Sequence, residues 1–393
     1  MHFNVNMANN LSLPELKSYL NDIEENAYSN LYNSARYYSM MKDLDKSNNI
    51  LNKLLDTNDN IAYNARNQLI CNYNVTFNTK KALELIKINE DIFNDIDLRN
   101  QKCYAMYLND DFDNNIIQLL DTFEQYSPSW RNHCTMVSQY YHSIGDFKQG
   151  MRYHALSLHM ESSWDINIKD IIIHVPYCGI GDEIVLLRLL PILTNRGYNV
   201  KWYSNNKDII DIVHNMGYET SDNGYFVHGY DAIQKLDFDY NDIMIESYIK
   251  PSLEAIEKFK HCKGIGIRLS GNREALDEPM RQVPLELLQN YLPDVNHYSL
   301  HLENVTGLIY NDLKSLDDTL GLIHNLDYVV TACTSVAHLS CAMGKKTYVL
   351  TKKCCWYTWR KFNGKLAWYN DNCHVIRQTE LLNWDVLKEL EEL

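Results

Sequence analysis

The chain has 393 residues and a formal net charge of −14, from 37 basic and 51 acidic residues, and 45% of its residues are hydrophobic. This length accommodates two or three domains, and this composition supports ordinary globular cores. The acidic balance argues against broad nucleic-acid binding, which requires a basic surface that releases counterions.

The amino-terminal segment carries acidic and amide residues where a signal peptide requires an apolar core. No run approaches the roughly 20 apolar residues that span a membrane. The 10 cysteines do not follow the spacing of a zinc site, and Cys354 and Cys355 are adjacent. We therefore expect a cytoplasmic protein with free thiols, no membrane span and no bound metal.

Residues 1–162 predict helix after helix, because apolar residues recur at helical spacing without strand-like alternation. Ser12, followed by Pro14 in the first turn, predicts an early helix start. A weak internal repeat of about 34 residues is visible in this half. Its copies begin near Tyr37, Asn72, Tyr104 and Tyr140, and their predicted turns contain Asp43, Asp111 and Asp146.

This half resembles tetratricopeptide repeats, which are helix pairs that stack into a solenoid. The last copy matches best, with Gly145, Phe147, Gly150 and Ala155 at the small and aromatic packing positions. An irregular helical bundle is the alternative. A solenoid would offer a surface for a protein partner or an acceptor, or would simply support the rest of the chain.

After Ile168 the pattern changes to alternating strands and helices, which predicts parallel sheets. One series occupies residues 163–262, where alternation continues through IMIES (from Ile243), and a second occupies residues 263–393 and ends in an amphipathic helix from Glu380. The predicted fold is therefore α/β, two Rossmann-like domains with a cleft between them, preceded by an all-α helical solenoid.

The first chemical motif is the turn Gly179–Glu183, which follows a predicted strand and opens a helix. Glycines permit a tight turn and the close approach of a ligand. Asp182 is either a partner of the helix dipole or a general base that faces the cleft.

The second motif is the segment Thr331–His338, where a strand ends and a helix begins. The amide groups and hydroxyls at Thr334 and Ser335 either hold a pyrophosphate or form an ordinary helix cap. His338 lies one turn into this helix, where a histidine is more often structural than catalytic.

The third motif is Arg268–Asn272, with Arg273 and Arg281 nearby, just after the strand that opens the second series. Arginines at the carboxyl end of such a strand point into the crevice where ligands bind. They either pair with phosphates or form a solvated charge cluster.

Together these motifs resemble heptosyltransferase-like glycosyltransferases, including bacterial proteins that join tetratricopeptide repeats to such a domain. The likeness is carried by HVPYCGIGDEIVLLRLLPILTNRG from His174, GIGIRLSGNREALDEPMRQVPLELL from Gly264 and the stretch from Asp317 to Leu350, followed by Trp356 and Trp359.

The resemblance implies an inverting, metal-independent glycosyltransferase of the two-Rossmann (GT-B) kind. It would move a sugar from a nucleotide diphospho-sugar to a hydroxyl acceptor, most readily a glycan, with a protein or modified nucleic acid as alternatives. Asp182 would be the general base. The implied donor-binding and phosphate-binding residues are Gly181, Arg268, Ser270, Asn272, Arg281, Thr334, Ser335 and His338. The resemblance implies no cofactor other than the donor.

Two positions depart from the family pattern: Cys333 replaces an aspartate and Leu269 replaces a tryptophan. These departures keep two other interpretations open. In one, the GT-B half is a degenerate scaffold and the helical repeats bind a protein partner. In the other, the chain is a sugar-nucleotide epimerase on the same fold.

Overall fold

A computed structural model describes residues 24–57, 59–87, 95–112, 115–158, 164–176, 178–272, 275, 277–362 and 364–392. The helix start expected at Ser12 and the side chain of Arg273 lie outside these residues. The chain divides into two compact units, Met1–Gln125 and Tyr126–Leu393.

The described part of the first unit is helical. Its helices are α1 (Glu24–Met40), α2 (Leu44–Leu54), α3 (Asp59–Val75), α4 (Thr79–Lys87), α5 (Ile96–Asn109) and α6 (Asn115–Leu120). Each helix from α1 to α5 contacts the next one, and α3 also contacts both α1 and α5. This is the contact pattern of stacked helix pairs, in which the first helices of successive pairs lie side by side.

The second unit begins with a fourth pair, α7 (Pro128–Ser143) and α8 (Phe147–Ser157). The first helices of the four pairs begin at Glu24, Asp59, Ile96 and Pro128, in keeping with a repeat of about 34 residues. The helical repeats predicted from the sequence are therefore confirmed.

The same turn joins the two helices of every pair. One residue adopts the left-handed conformation, with φ of 61°, 59°, 52° and 84° at Lys42, Phe77, Asp110 and Gly145. The next backbone N–H then donates to the carbonyl five residues earlier, over 2.8–3.1 Å, at Asp43, Asn78, Asp111 and Asp146. This bond satisfies a carbonyl that the helix end leaves exposed, as in a Schellman motif.

The predicted turn aspartates have a defined structural role. Asp43 caps α2 by accepting from the Lys46 N–H, and Asp146 caps α8 by accepting from the Gln149 N–H. Asp111 lies in the turn between α5 and α6. Aspartate suits these positions because its short side chain satisfies amides that the first turn of a helix leaves without partners.

Two parallel sheets follow. The first has the order β2-β1-β3, from β1 (Asp170–His174), β2 (Asn199–Tyr203) and β3 (Phe226–His228). The second has the order β10-β7-β6-β4-β5, from β4 (Ile265–Arg268), β5 (His297–Ser299), β6 (Tyr328–Ala332), β7 (Thr347–Thr351) and β10 (Cys373–Arg377). A separate hairpin consists of β8 (Lys361–Phe362) and β9 (Lys365–Leu366).

Helices connect the strands. They are α9 (Ile180–Leu186), α10 (Leu189–Asn195), α11 (Lys207–Asn215), α12 (Gly229–Lys235), α13 (Tyr240–Ile243), α14 (Leu253–Lys258), α15 (Glu278–Arg281), α16 (Leu285–Gln289), α17 (Leu316–Asn325) and α18 (Ser335–Ala342). A helical repeat region followed by a mixed α/β part is thus confirmed.

A large hydrophobic core runs through the second unit. It includes Phe147 and Ala155 of α8, Ile173 of β1 and Ala337 of α18. A smaller core lies between the five-stranded sheet and the carboxyl-terminal 3-10 segment Asp385–Glu392. The fourth helix pair therefore packs as part of the α/β unit.

Three features differ from the sequence expectations or lie beside them. IMIES contains no strand, because Tyr248, just after it, donates its N–H to Ala342 O at the end of α18 and the chain crosses toward the second sheet. The terminal helix is the 3-10 segment from Asp385 rather than a helix from Glu380. The divisions at 162/163 and 262/263 stay predictions, and the compact units divide after Gln125.

Candidate functional site

The carboxyl edge of the three-stranded sheet holds the predicted base, Asp182. It lies in the first turn of α9, where its Oδ2 accepts from the Gly179 N–H over 3.1 Å. Its Oδ1 accepts from the Tyr230 hydroxyl over 3.1 Å, and Tyr357 in turn donates to the Tyr230 oxygen over 2.8 Å. Both carboxylate oxygens are therefore engaged within the protein.

Burial governs the protonation of this chain of groups. Burial raises the pKa of Asp182, and the bonds from Gly179 and Tyr230 oppose that rise only in part. Burial also raises the pKa of Tyr230 and Tyr357, which are fully covered. The arrangement joins a carboxyl group to two phenols, with the tyrosines as neutral donors.

Gly181 and His338 meet where α9 packs against α18. A Cβ atom at Gly181 would lie 3.0 Å from His338 Cδ2 and 3.9 Å from Ser335 Cα. Glycine is needed here because the two helices approach so closely. The structure thus brings together Gly181, Ser335 and His338, three of the predicted donor-binding residues.

His338 is a buried packing residue in this arrangement. Its ring stacks on Trp359 with 4.6 Å between centroids, and its Nδ1 lies 2.7 Å from the Tyr369 hydroxyl oxygen. Burial lowers the pKa of His338 to about 3, with a smaller effect from the Arg188 charge. The imidazole is therefore neutral at physiological pH.

Thr334 occupies the N-cap position of α18, but its hydroxyl does not bond to the helix amides. Its Oγ1 instead lies 3.4 Å from Thr331 Oγ1. The neighbouring Cys333 thiol accepts from Trp359 Nε1 over 3.0 Å, and burial raises its pKa. A neutral thiol stands here, so the position carries no charge for orienting a ligand.

The carboxyl edge of the five-stranded sheet holds a charge network around Arg281. Its guanidinium pairs with Asp277 at 3.2 Å and Glu278 at 3.1 Å, and donates to Cys333 O over 3.2 Å. Lys352 pairs with Asp277 at 2.6 Å. These charges lie at the predicted edge, and each of these bonds joins them to other protein groups.

The other predicted residues of this edge form a loop around Arg268. Arg268 Nε donates to Ser270 O over 2.7 Å, and its NH1 donates to Leu300 O over 3.1 Å. Asn272 lies exposed at the end of the loop. The printed sequence pattern placed these residues correctly at a strand end, and the roles proposed for them in ligand binding stay predictions.

Two features of the site were missed by sequence reasoning. One is the Tyr230–Tyr357 pair, contributed by segments 127 residues apart. The other is a cavity of about 650 Å³ at the ends of β1 and β2, lined mainly by polar residues that include His174, Glu183 and Asn205. The only signal for the cavity was its place at the carboxyl ends of parallel strands.

Metal and membrane features can be stated for the described residues only. Among them, no group of three or more His, Cys, Asp or Glu side chains is placed to hold a metal ion. Within the same part of the chain, no helix combines the length and apolarity needed to cross a bilayer. The ten cysteines, all in that part, are free thiols.

No family model matches the chain, and no curated protein matches it either. Among solved structures, a form of LpoA from Haemophilus influenzae is 11% identical, with 89% of this chain and 79% of that chain covered, at a TM-score of 0.27. Full-length LpoA from the same organism is 12% identical, with 88% and 79% covered, at a TM-score of 0.20. Scores this low carry no conclusion about fold or role.

These comparisons correct the identification made from the motifs. The heptosyltransferase-like glycosyltransferase is wrong as an assignment: no family supports it, and the solved structures that match are of LpoA rather than a glycosyltransferase. The enzyme prediction, the nucleotide-sugar donor and the glycan acceptor lose their support with it. The physical counterpart is that Asp182, Arg268, Arg281 and His338 make the intramolecular bonds described above.

Proposed function

We propose that this is a binding protein whose helical repeats hold a protein partner, while the α/β part serves as a folded support. One observation carries the proposal. The first two helix pairs expose large apolar side chains at their turns: Met40 is 80% exposed, and Met41 and Val75 are each 63% exposed. Clustered exposed apolar groups mark interaction surfaces more often than scattered ones.

These three residues, here named the turn ridge, occupy equivalent places. Met40 and Met41 lie at the end of α1 and Val75 lies at the end of α3, each within two residues of the left-handed turn residue. Because α1 and α3 contact each other, the ridge follows the stack. Methionine suits such a surface, since its flexible side chain adapts to different apolar partners.

The α/β part fits the support role for a separate reason. We infer that its two parallel sheets form a GT-B-like pair of Rossmann-like units, an arrangement supported by the two all-parallel strand orders. In this proposal Gly181, Ser335 and His338 serve to hold α9 against α18. The paired charges of Arg281 and the double hydrogen bond of Asp182 are consistent with that structural use.

The test is differential capture with the full chain as bait. The ridge variant Met40→Glu/Met41→Glu adds two acidic groups to the apolar surface. The matched control is Leu253→Glu/Leu302→Glu, which makes the same chemical change at two exposed leucines of the second unit. Proteins bound to each bait are quantified by mass spectrometry, and the folding of each bait is checked by its melting curve.

The proposal expects a protein that the unaltered chain and the Leu253/Leu302 control retain, and that the ridge variant loses by about tenfold or more, since burying a charge in an apolar contact is costly. Equal retention by the ridge variant would remove the ridge from recognition. Loss with the control and retention by the ridge variant would place the binding surface on the α/β part instead.

A further inference from the structure

A second, chemically different site lies in the second unit, in a cavity of about 330 Å³ between the end of α7, strand β8 and the end of β10. Its lining includes three cationic side chains, Arg360, Lys361 and Arg377, together with His142. None of the described lining residues is acidic. This basic cavity, as we name it, is a local exception in a chain with a formal charge of −14.

The two arginines are held in place from the protein side. Arg360 is only 5% exposed, and its Nε donates to Gln139 Oε1 over 3.4 Å. Arg377 Nε donates to Lys353 O over 2.6 Å, and burial lowers the pKa of Arg377. Both guanidinium groups nevertheless stay charged, because arginine is not deprotonated in proteins. Like charges gathered at a partly buried place repel, and an anion between them relieves that repulsion.

The fourth group is an imidazole with unused hydrogen-bonding capacity. His142 is fully buried, and neither its Nδ1 nor its Nε2 has a hydrogen-bond partner. The ring stacks on Tyr357 with 5.0 Å between centroids, and a Cβ atom at Gly150 would lie 2.6 Å from it. The ring is thus fixed at the wall of the cavity by its packing. A buried polar group without a partner is uncommon and calls for an explanation such as a ligand.

We propose that the basic cavity binds a phosphate-class oxyanion, either free phosphate or the phosphate group of a small metabolite. Arg360, Lys361 and Arg377 supply positive charge from three side chains, and His142 supplies a ring N–H. A dianionic phosphate neutralises more of this charge than a single carboxylate does, and guanidinium groups match its geometry. The volume is at the lower end of the range of small-molecule pockets.

The test measures anion binding by the full chain with calorimetry, using inorganic phosphate, pyrophosphate and acetate at one fixed ionic strength set with chloride. Lys361→Gln removes an exposed cation of the cavity without altering the core. Lys365→Gln is the matched control, because Lys365 lies on the same hairpin and lines a different cavity. Arg377→Gln is the second cavity variant, used after its melting curve shows that it folds.

The expected result is saturable binding of phosphate or pyrophosphate, weaker binding of acetate, and an affinity about tenfold lower in Lys361→Gln than in Lys365→Gln, the usual effect of losing one charge-assisted contact. In a sample with 15N-labelled histidine, phosphate shifts the His142 ring signals, which are assigned by their absence in His142→Gln. Free phosphate and pyrophosphate together separate a single phosphate site from one that prefers a longer phosphorylated ligand.

Three results would overturn the proposal: no saturable binding at fixed ionic strength, equal losses in Lys361→Gln and Lys365→Gln, or acetate binding as tight as phosphate. None of them bears on the turn ridge, because the basic cavity belongs to the second unit and the ridge to the first. The failure of one proposal is therefore distinguishable from the failure of the other.

Discussion

The two compact units bury different polar groups. The first unit buries amides such as Asn72, whose side chain bonds to the side chains of Ser39, Ser47, Asn48 and Gln68. The second unit buries imidazoles and a guanidinium group, with His154, His338 and Arg188 among them. Amides keep the same hydrogen bonds from acid to neutral pH, whereas a buried imidazole is tolerated only while it is neutral. The comparison therefore predicts that the second unit alone depends strongly on pH.

The largest expected effect is unfolding of the second unit near pH 5. Burial lowers the pKa of His154, His228 and His338 to about 3, while the unfolded chain keeps the ordinary value near 6.5. The unfolded state then binds more protons between these values, so stability is lost as pH falls below 6.5. Each group costs about 2 kcal/mol at pH 5, and three together rival the total stability of a domain.

Hydrogen exchange measured by mass spectrometry at pH 7.5 and pH 5, corrected for intrinsic rates, checks this expectation. Peptides from residues 126–393 should lose protection at pH 5, and those from residues 24–120 should keep it, because the sequence has no histidine between Phe3 and Asn132. His154→Phe keeps the ring and should lower the midpoint pH, whereas the exposed control His261→Phe should not. Equal loss of protection in both units would contradict the comparison.

The next effect in size is expected from Arg188→Ala. Arg188 is fully buried, and it donates to the carbonyls of Val185, Ile243 and Trp368 and to the Tyr248 hydroxyl. Truncation leaves these acceptors buried without a donor, and we expect a loss of about 3–5 kcal/mol in the free energy of unfolding.

The control for Arg188 is Arg196→Ala, which removes a partly exposed ion pair with Asp242. Such surface pairs contribute less than about 1 kcal/mol. Urea unfolding of both variants gives the comparison directly. A similar loss in the two would mean that the buried guanidinium contributes no more than an ordinary surface pair.

A smaller effect is expected from Asn72→Ala in the first unit. The change removes four side-chain hydrogen bonds from a buried position, and we expect a loss of about 2 kcal/mol. The loss should be the same at pH 7.5 and pH 5.5, because no group of this network titrates in that range. Asn52→Ala, at an exposed position, is the control and should change stability by less than about 0.5 kcal/mol. Unfolding curves at the two pH values decide both points.

The smallest expected effect is that of Asp182→Asn, and it is a change of slope. Because the folded-state pKa of Asp182 is raised by burial, its contribution to stability is fully present below the unfolded value of 3.8 and is lost as pH rises through the folded pKa. The amide does not ionise, so the variant should lose this falling slope in the weakly acidic range and should be at least as stable at neutral pH. The unaltered protein titrated in parallel is the control, and an unchanged slope would contradict the prediction.

The amino-acid sequence by itself determined the local structure. The repeat length and the turn residues Asp43, Asp146 and Gly145 were readable because helix caps and left-handed turns depend on a few neighbouring residues. The strand–turn–helix units that end at Ala332 and His174 were readable for the same reason. Apolar β-branched runs that end in polar or glycine turns indicate buried parallel strands.

Only the tertiary structure decided which distant groups meet. Arg188 appears in the sequence as one residue of an ordinary helix, and Tyr230 and Tyr357 carry no sign of pairing with each other. The same limit applies to Arg281, where the pattern placed a cation at the sheet edge but could not show its pairing with Asp277 and Glu278. Hydrogen bonds and ion pairs across long sequence separations depend on packing geometry, whereas turns and caps depend on adjacent residues, and this difference in range sets what the sequence alone could determine.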